Sequence, residues 1–148
     1  YGAALARYGI PLRTSLVRYC RPVANREVFR DGVVAEIGAL MTLPEPPEAL
    51  FTATDQLSTL SLAALRRLGY RIPDDIALIG FSNSELAEIL TPPLSAVYQP
   101  AFEIGRQAAE KLIGLIGGRE EPGESGTVKL PVRLDIRESS AVRFRATV

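Results

Sequence analysis

A three-layer α/β fold on a parallel sheet is what this sequence predicts, and three observations predict it. Amphipathic helical stretches alternate with short apolar runs along most of the chain. Each run is too short for a helix and is bounded by Gly, Pro or Asp, as buried parallel strands are. The 148 residues are 47% apolar, enough to bury one sizeable core. Helices placed between successive strands imply right-handed crossovers and a sheet covered on both faces.

The elements follow in order. Tyr1 to Gly9 reads as the latter part of a helix stopped by Gly9, with no methionine ahead of it, so the chain is expected to be a fragment of a longer polypeptide. Ile10-Pro11 breaks that helix, and Ser15 to Tyr19 is a strand candidate. Asp31 is the expected N-cap of a helix from Gly32 to about Leu43, with Val33, Ile37, Leu40 and Met41 as its apolar stripe. Pro44-Glu45-Pro46-Pro47 ends it. Ala49 to Ala53 is a buried strand, and Leu57 to Leu68 is a helix stopped by Gly69. Ile72 to Asp75 is a turn, in which Asp74-Asp75 reads as turn capping rather than a catalytic carboxylate pair. Ile76 to Gly80 is a second buried strand.

Ser84 to Leu90 suggests a short helix, and Leu94 to Tyr98 is extended. Pro100 suits the first position of a helix continuing to Ile116, with Phe102, Ala109, Leu112, Ile113 and Ile116 along it. Glu120 to Gly126 is a charged loop, read as the most mobile internal stretch. Thr127 to Leu130 and Val132 to Ile136 are strand-like on either side of Pro131.

Composition narrows the function. Lys+Arg and Asp+Glu are both 17, so the surplus of positive charge expected of a nucleic-acid-binding domain is missing. The six arginines between Tyr1 and Arg30 straddle a helix, a strand candidate and a loop, and read as a solvated face. Histidine is absent and Cys20 is the only cysteine, which removes Ser-His-Asp and Cys-His catalysis, an internal disulfide and a Cys/His metal site. No phosphate-cradling GxxxxGK[ST] or GxGxxG pattern occurs. No apolar run approaches the ~20 residues that span a bilayer, and no signal peptide is visible. The expectation is a protein that is not an enzyme, needs no cofactor, works in the cytoplasm and does not meet a membrane.

In a parallel sheet the carboxyl ends of the strands share one edge, and ligands bind outside it. That edge carries Thr54 and Asp55 after the first buried strand, Phe81, Ser82 and Asn83 after the second, and Tyr98 and Gln99 after the third.

Several segments, taken jointly and in order, resemble the LacI/GalR family of transcriptional repressors. They are Ala49 to Gln56, Gly69 to Phe81 with its Ile72-Pro73 and Gly80-Phe81, and Leu90 to Pro100 with Pro92-Pro93-Leu94 and Gln99-Pro100. Gly105, Ala108 or Ala109 and Leu112 in the next helix, and Leu130-Pro131-Val132 through Arg137-Glu138-Ser139-Ser140, complete the pattern. The resemblance implies a periplasmic-binding-protein-like (type I) fold of two α/β lobes around an effector cleft. It implies that residues 1–94 and 132–148 form the second lobe. Residues 95–131 would be the hinge crossing plus a helix and a strand of a mostly missing first lobe, and the DNA-binding domain would be absent. The implied partners are a small sugar-like effector, a second copy in a homodimer, and operator DNA reached only through the missing amino-terminal domain. A periplasmic sugar- or solute-binding protein is the alternative on the same fold.

The expected effector-binding residues are Thr54, Asp55, Phe81, Ser82 and Gln99. Thr54 stands where the family usually has Asn, and Ser82 where it usually has Asp; a hydroxyl there replaces a charge-assisted acceptor. Each has a structural reading beside the functional one. Asp55 would cap the following helix, Ser82 would cap the short Ser84 helix with Glu85, and Gln99 would cap the helix after it. Phe81 would pack on the lobe face.

Overall fold

The computed structural model describes residues 1–81, 83, 85–118 and 126–141. Its element order is α1 (Gly2–Arg7), α2 (Arg26–Met41), β1 (Ala49–Thr52), α3 (Asp55–Arg67), β2 (Ala77–Phe81), β3 (Ser95–Tyr98), α4 (Ala101–Ile116) and β4 (Arg133–Asp135). The four strands form one sheet in the order β1-β2-β3-β4. The first three are parallel, with Thr52 level with Gly80 and Phe81 level with Val97. β4 runs antiparallel to β3, pairing Tyr98 with Arg133 and Ala96 with Asp135. The sheet is therefore mixed, with its parallel part where the sequence puts it.

Helix α2 begins a turn and a half before the position the sequence suggests. Asn25, not Asp31, is its N-cap: the side-chain oxygen accepts from the Glu27 and Val28 N–H groups at 2.9 and 3.2 Å. The earlier start brings Phe29 into line with Val33, Ile37 and Leu40, and all four are buried. They meet Ala64 and Leu65 of α3 and Ile76 at the start of β2. A second cluster joins Leu62 of α3, Leu78, Ala87 and Leu94, and Leu50 touches both clusters. Helices α2 and α3 thus cover one face of the sheet. On the other face Ile79 and Val97 are half-buried, and Phe51 is 50% exposed.

The expected strand at Ser15 to Tyr19 is not formed. Thr14–Leu16 is a 3-10 turn, and Val17 is extended without a ladder partner. Arg18 instead reaches Glu36 on α2 at 3.2 Å, and Leu16, Val17 and Cys20 line a cavity of about 530 Å³ beside β1. That leaves β1 at the sheet's edge, so it is not the buried strand expected. Thr127 to Leu130 likewise has no ladder and forms no strand. The Ser84 to Leu90 helix is a 3-10 turn over Glu85–Glu88, its first residue outside the described set. The loop from Glu120 lies outside it too, apart from Gly126, as do residues 142–148.

Two polar contacts lock the layers. Gly80 has no side chain because α3 comes too close: a Cβ there would lie 2.5 Å from Ser58 Oγ and 3.3 Å from a Leu94 methyl. Ser58, fully buried, donates to the Thr54 carbonyl at 2.8 Å and shares a 2.8 Å hydrogen bond with the Thr52 hydroxyl. At the other end of the sheet the chain returns at Arg137–Ser140. The buried Ser139 hydroxyl donates to the Leu78 carbonyl at 2.6 Å and accepts from the Ser95 N–H at 2.8 Å. Ser95 Oγ in turn accepts from the Arg137 N–H at 2.7 Å.

Gly80→Ala is expected to destabilise the chain by about 1–3 kcal/mol, since the added methyl has no room to relax. Ser58→Ala in the same chain should recover part of that loss, and urea denaturation reads both. Ser139→Ala is expected to cost about 1–3 kcal/mol by leaving two buried main-chain groups unpaired. An unchanged urea midpoint would remove Ser139 from that role.

Candidate functional site

The parallel register carries the ends of β1, β2 and β3 to a common edge, and the candidate residues stand there. Thr54 lies two residues past β1, and its hydroxyl accepts from the Leu57 N–H at 3.2 Å. It is the N-cap of α3, and Asp55 is the first helical residue, not the cap the sequence suggests. The reason is positional. Thr54 keeps extended backbone (φ −149°, ψ 159°), which points its oxygen at the free N–H groups of the first turn, whereas Asp55 is already helical. Its carboxylate is exposed in that turn, at the positive end of the helix dipole.

Phe81 ends β2 and is half-buried. Ser82 lies outside the described residues. Gln99 follows β3, and the N-cap position of α4 belongs to Pro100, which offers no side-chain cap. A capping role for Gln99 is thus not seen. Gln99 and Phe81 line one cavity of about 420 Å³, together with Ile104, Gln107 and Lys111 of α4 and Val128 and Leu130 beyond it. Thr54 and Asp55 are on the same edge but outside that cavity.

Asn83 belongs to this edge as well. Its Nδ2 donates to the Gln99 carbonyl at 2.8 Å, and its Oδ1 accepts from the Gln99 N–H at 2.8 Å. The sequence lists Asn83 on the rim, but nothing beyond an Asn shortly after a strand, a common turn signal, marks it as a tie between two segments. Tyr98 is stacked by the Arg133 guanidinium, 4.8 Å from the ring centre.

The charged groups nearby are paired. Glu103, early in α4, is held at a pKa of about 2, chiefly by a hydrogen bond from Arg106 and then by one from Gln107. Asp135 is lowered chiefly by its bond from Arg133, which holds both carboxylate oxygens at 2.6 and 2.9 Å. Burial, with Glu36 second, raises the Cys20 thiol. Among the described residues no group of three or more His, Cys, Asp or Glu is placed to hold a metal ion. No helix among them is long and apolar enough to cross a membrane. The cavity sets two amide side chains, Gln99 and Gln107, and the Lys111 side chain beside the Phe81 ring and an apolar wall, which suits a ligand with both polar and apolar faces.

Known proteins share this architecture. The profile of the periplasmic binding protein-like domain matches residues 3–140. The HTH-type transcriptional repressor CytR of Escherichia coli K12 is 36% identical over 101 residues, which are 68% of this chain and 29% of the repressor. A complex of the transcriptional regulator CelR with cellobiose superposes with a TM-score of 0.78 at 32% identity, over 95% of this chain and 40% of that one. A LacI family transcriptional regulator from Arthrobacter sp. FB24, in complex with lactose, gives a TM-score of 0.62 at 36% identity, over 75% of this chain and 40% of that one. All three are regulators by name. This chain spans well under half the length of each.

Thr54→Ala is expected to cost about 1 kcal/mol through loss of the α3 cap, read as a lowered urea midpoint. Glu103 supplies a pH test. Its folded pKa is depressed, so its stabilising contribution is present above the ordinary value of 4.5 and fades as pH falls towards about 2. The contribution is small because the pair is solvent-exposed. NMR titration is expected to find Glu103 ionised down to that low pH, and Arg106→Gln to return it to the ordinary range.

Proposed function

The chain belongs to the periplasmic binding protein-like domain family, and on that footing we propose that it is the effector-sensing portion of a LacI-type transcriptional regulator. Its effector is a sugar or related metabolite, held where the carboxyl ends of the parallel strands meet a second lobe. The observation that carries this reading is the superposition of 95% of the chain on a regulator holding cellobiose. The edge fits that chemistry. Gln99 offers both a donor and an acceptor, Asp55 offers a charged acceptor, and Phe81 offers an apolar ring face for a sugar's C–H side.

In this reading residues 1–94 and 132–148 build one lobe, with β3 completing its sheet, and the chain crosses to the other lobe at Gln99 and returns near Pro131. Helix α4 supports that division. None of its residues is buried, and Phe102 and Ile116 are 85% and 79% exposed, as expected of a helix whose partners lie in the other lobe. The effector acts by its differential affinity for two lobe arrangements, which changes the operator-binding state of the whole cytoplasmic regulator. In the 148-residue chain by itself that uncovered face favours association, and the working form of the whole regulator is a homodimer. Thr54 and Ser82 complete the effector rim, Thr54 through whatever hydrogen-bonding capacity its cap leaves.

Calorimetry of the full polypeptide with cellobiose, lactose and ribose tests the reading. At least one is expected to bind, and to change the affinity for operator DNA. Gln99→Ala and Asp55→Ala should each weaken binding by about tenfold, the loss of one good hydrogen bond. Binding untouched by both changes would move the effector elsewhere, and no binding by any neutral sugar would overturn the sugar assignment. Light scattering at high micromolar concentration is expected to give a dimeric mass.

A further inference from the structure

Asn83 lies just beyond β2, yet its side chain is fastened to the end of a different strand. A primary amide that gives one hydrogen bond to a peptide group and takes one back makes the pairing a neighbouring strand would make. Here it does so at the last residue where such pairing is available. Pro100 has no N–H, and the Ala101 N–H turns back onto the Gln99 carbonyl at 2.8 Å. Among the described residues, Asn83 Oδ1 is the acceptor for the Gln99 N–H at this half-buried site. The two 2.8 Å bonds thus tie the loop after β2 to the residue that both lines the 420 Å³ cavity and leads into α4.

We propose that Asn83 is the positioning residue of the effector site: it keeps Gln99 with the sheet, so that any swing of α4 takes place beyond Gln99. The inference rests on the effector-sensing reading above. Gln99 cannot present its side chain to the cavity reproducibly if its own backbone rotates with α4. Clamped by Asn83, it is presented from the sheet's side, and the turn at Pro100 takes up the swing. Asn83 itself need not touch the ligand. Its contribution is preorganisation, the ordering of a binding group before the ligand arrives.

The test compares the wild-type full polypeptide with its Asn83→Ala and Asn83→Asp variants by amide hydrogen exchange and by calorimetry with cellobiose, lactose and ribose. Asn83→Ala is expected to lower the protection of the Gln99 amide by about tenfold while amides within β2 and β3 keep theirs, the signature of a local opening. It should also weaken the binding of whichever sugar the wild type binds by about tenfold, the scale of one lost hydrogen bond. Asn83→Asp separates a positioning role from a merely structural one. At about pH 7 its carboxylate opposes the Gln99 carbonyl and the clamp opens; at about pH 4, near the carboxyl's ordinary pKa, the protonated form regains the donor and protection returns. The wild type shows no such dependence at Gln99. An unchanged Gln99 amide in Asn83→Ala, a loss of protection spread evenly over the sheet, or full sugar affinity in Asn83→Ala would each overturn the proposal. If none of the three sugars binds the wild type, the sugar reading is what fails, and the exchange arm alone decides the clamp.

Discussion

The buried hydroxyl of Ser139 stands between β2 and β3 at their amino-terminal ends, taking the Ser95 N–H and giving its own proton to the Leu78 carbonyl. Those are two groups that two parallel strands would otherwise have to pair or hydrate, and both residues are fully buried. One side chain, contributed from far along the chain, therefore closes the ladder and anchors the returning segment in the same act. Around it, Ser95 Oγ accepts from the Arg137 N–H, and the Arg137 guanidinium donates to the Leu94 carbonyl at 2.9 Å and meets Glu88 at 3.0 Å. Because that segment is held, β4 enters beside β3 in a defined register. Tyr98 and Arg133 are consequently held side by side.

The opposite end of the sheet is set by a steric constraint rather than a ladder. Helix α3 can sit as low on the strands as it does because Gly80 offers no Cβ, and Ser58 fills the space with a hydroxyl that is satisfied twice over. The same approach brings the start of α3 to the edge where β1, β2 and β3 end. Thr54 caps α3, and Asp55 follows it, exposed, in the first turn. The close contact that stabilises the layer thus also fixes where α3 begins relative to the strand ends.

Helix α4 behaves differently from the rest. Its amphipathic sequence makes it a helix, and an ion-pair network of Glu103, Arg106 and Glu110 supports it, but it contributes nothing to the buried core. It is joined to the sheet by the turn at Gln99 and Pro100 and by the segment around Val128 and Leu130, with which it encloses the 420 Å³ cavity. A helix so attached depends little on the sheet's own packing, which is the division of rigidity that the proposed lobe movement would use.

The chain's own residues determined the alternation of helices and strands, the parallel core of the sheet and the shared edge. Apolar periodicity, Gly and Pro stops and short strand runs are local signals, and α3, β2, β3 and α4 follow them closely. The family pattern was legible too, in the segments Gly69 to Phe81, Leu90 to Pro100 and Leu130 to Ser140. What only the tertiary structure decided is where polar groups find partners. Leu16 and Val17 look like strand residues, yet Arg18 finds Glu36 and the segment stays out of the sheet. Asn25 captures the start of α2 ahead of Asp31, and Thr54 takes the cap assigned to Asp55. Asn83 reaches a residue sixteen positions away. A hydrogen bond depends on a few tenths of an ångström and on an angle. Sequence spacing fixes neither across separate elements until packing has set their distance.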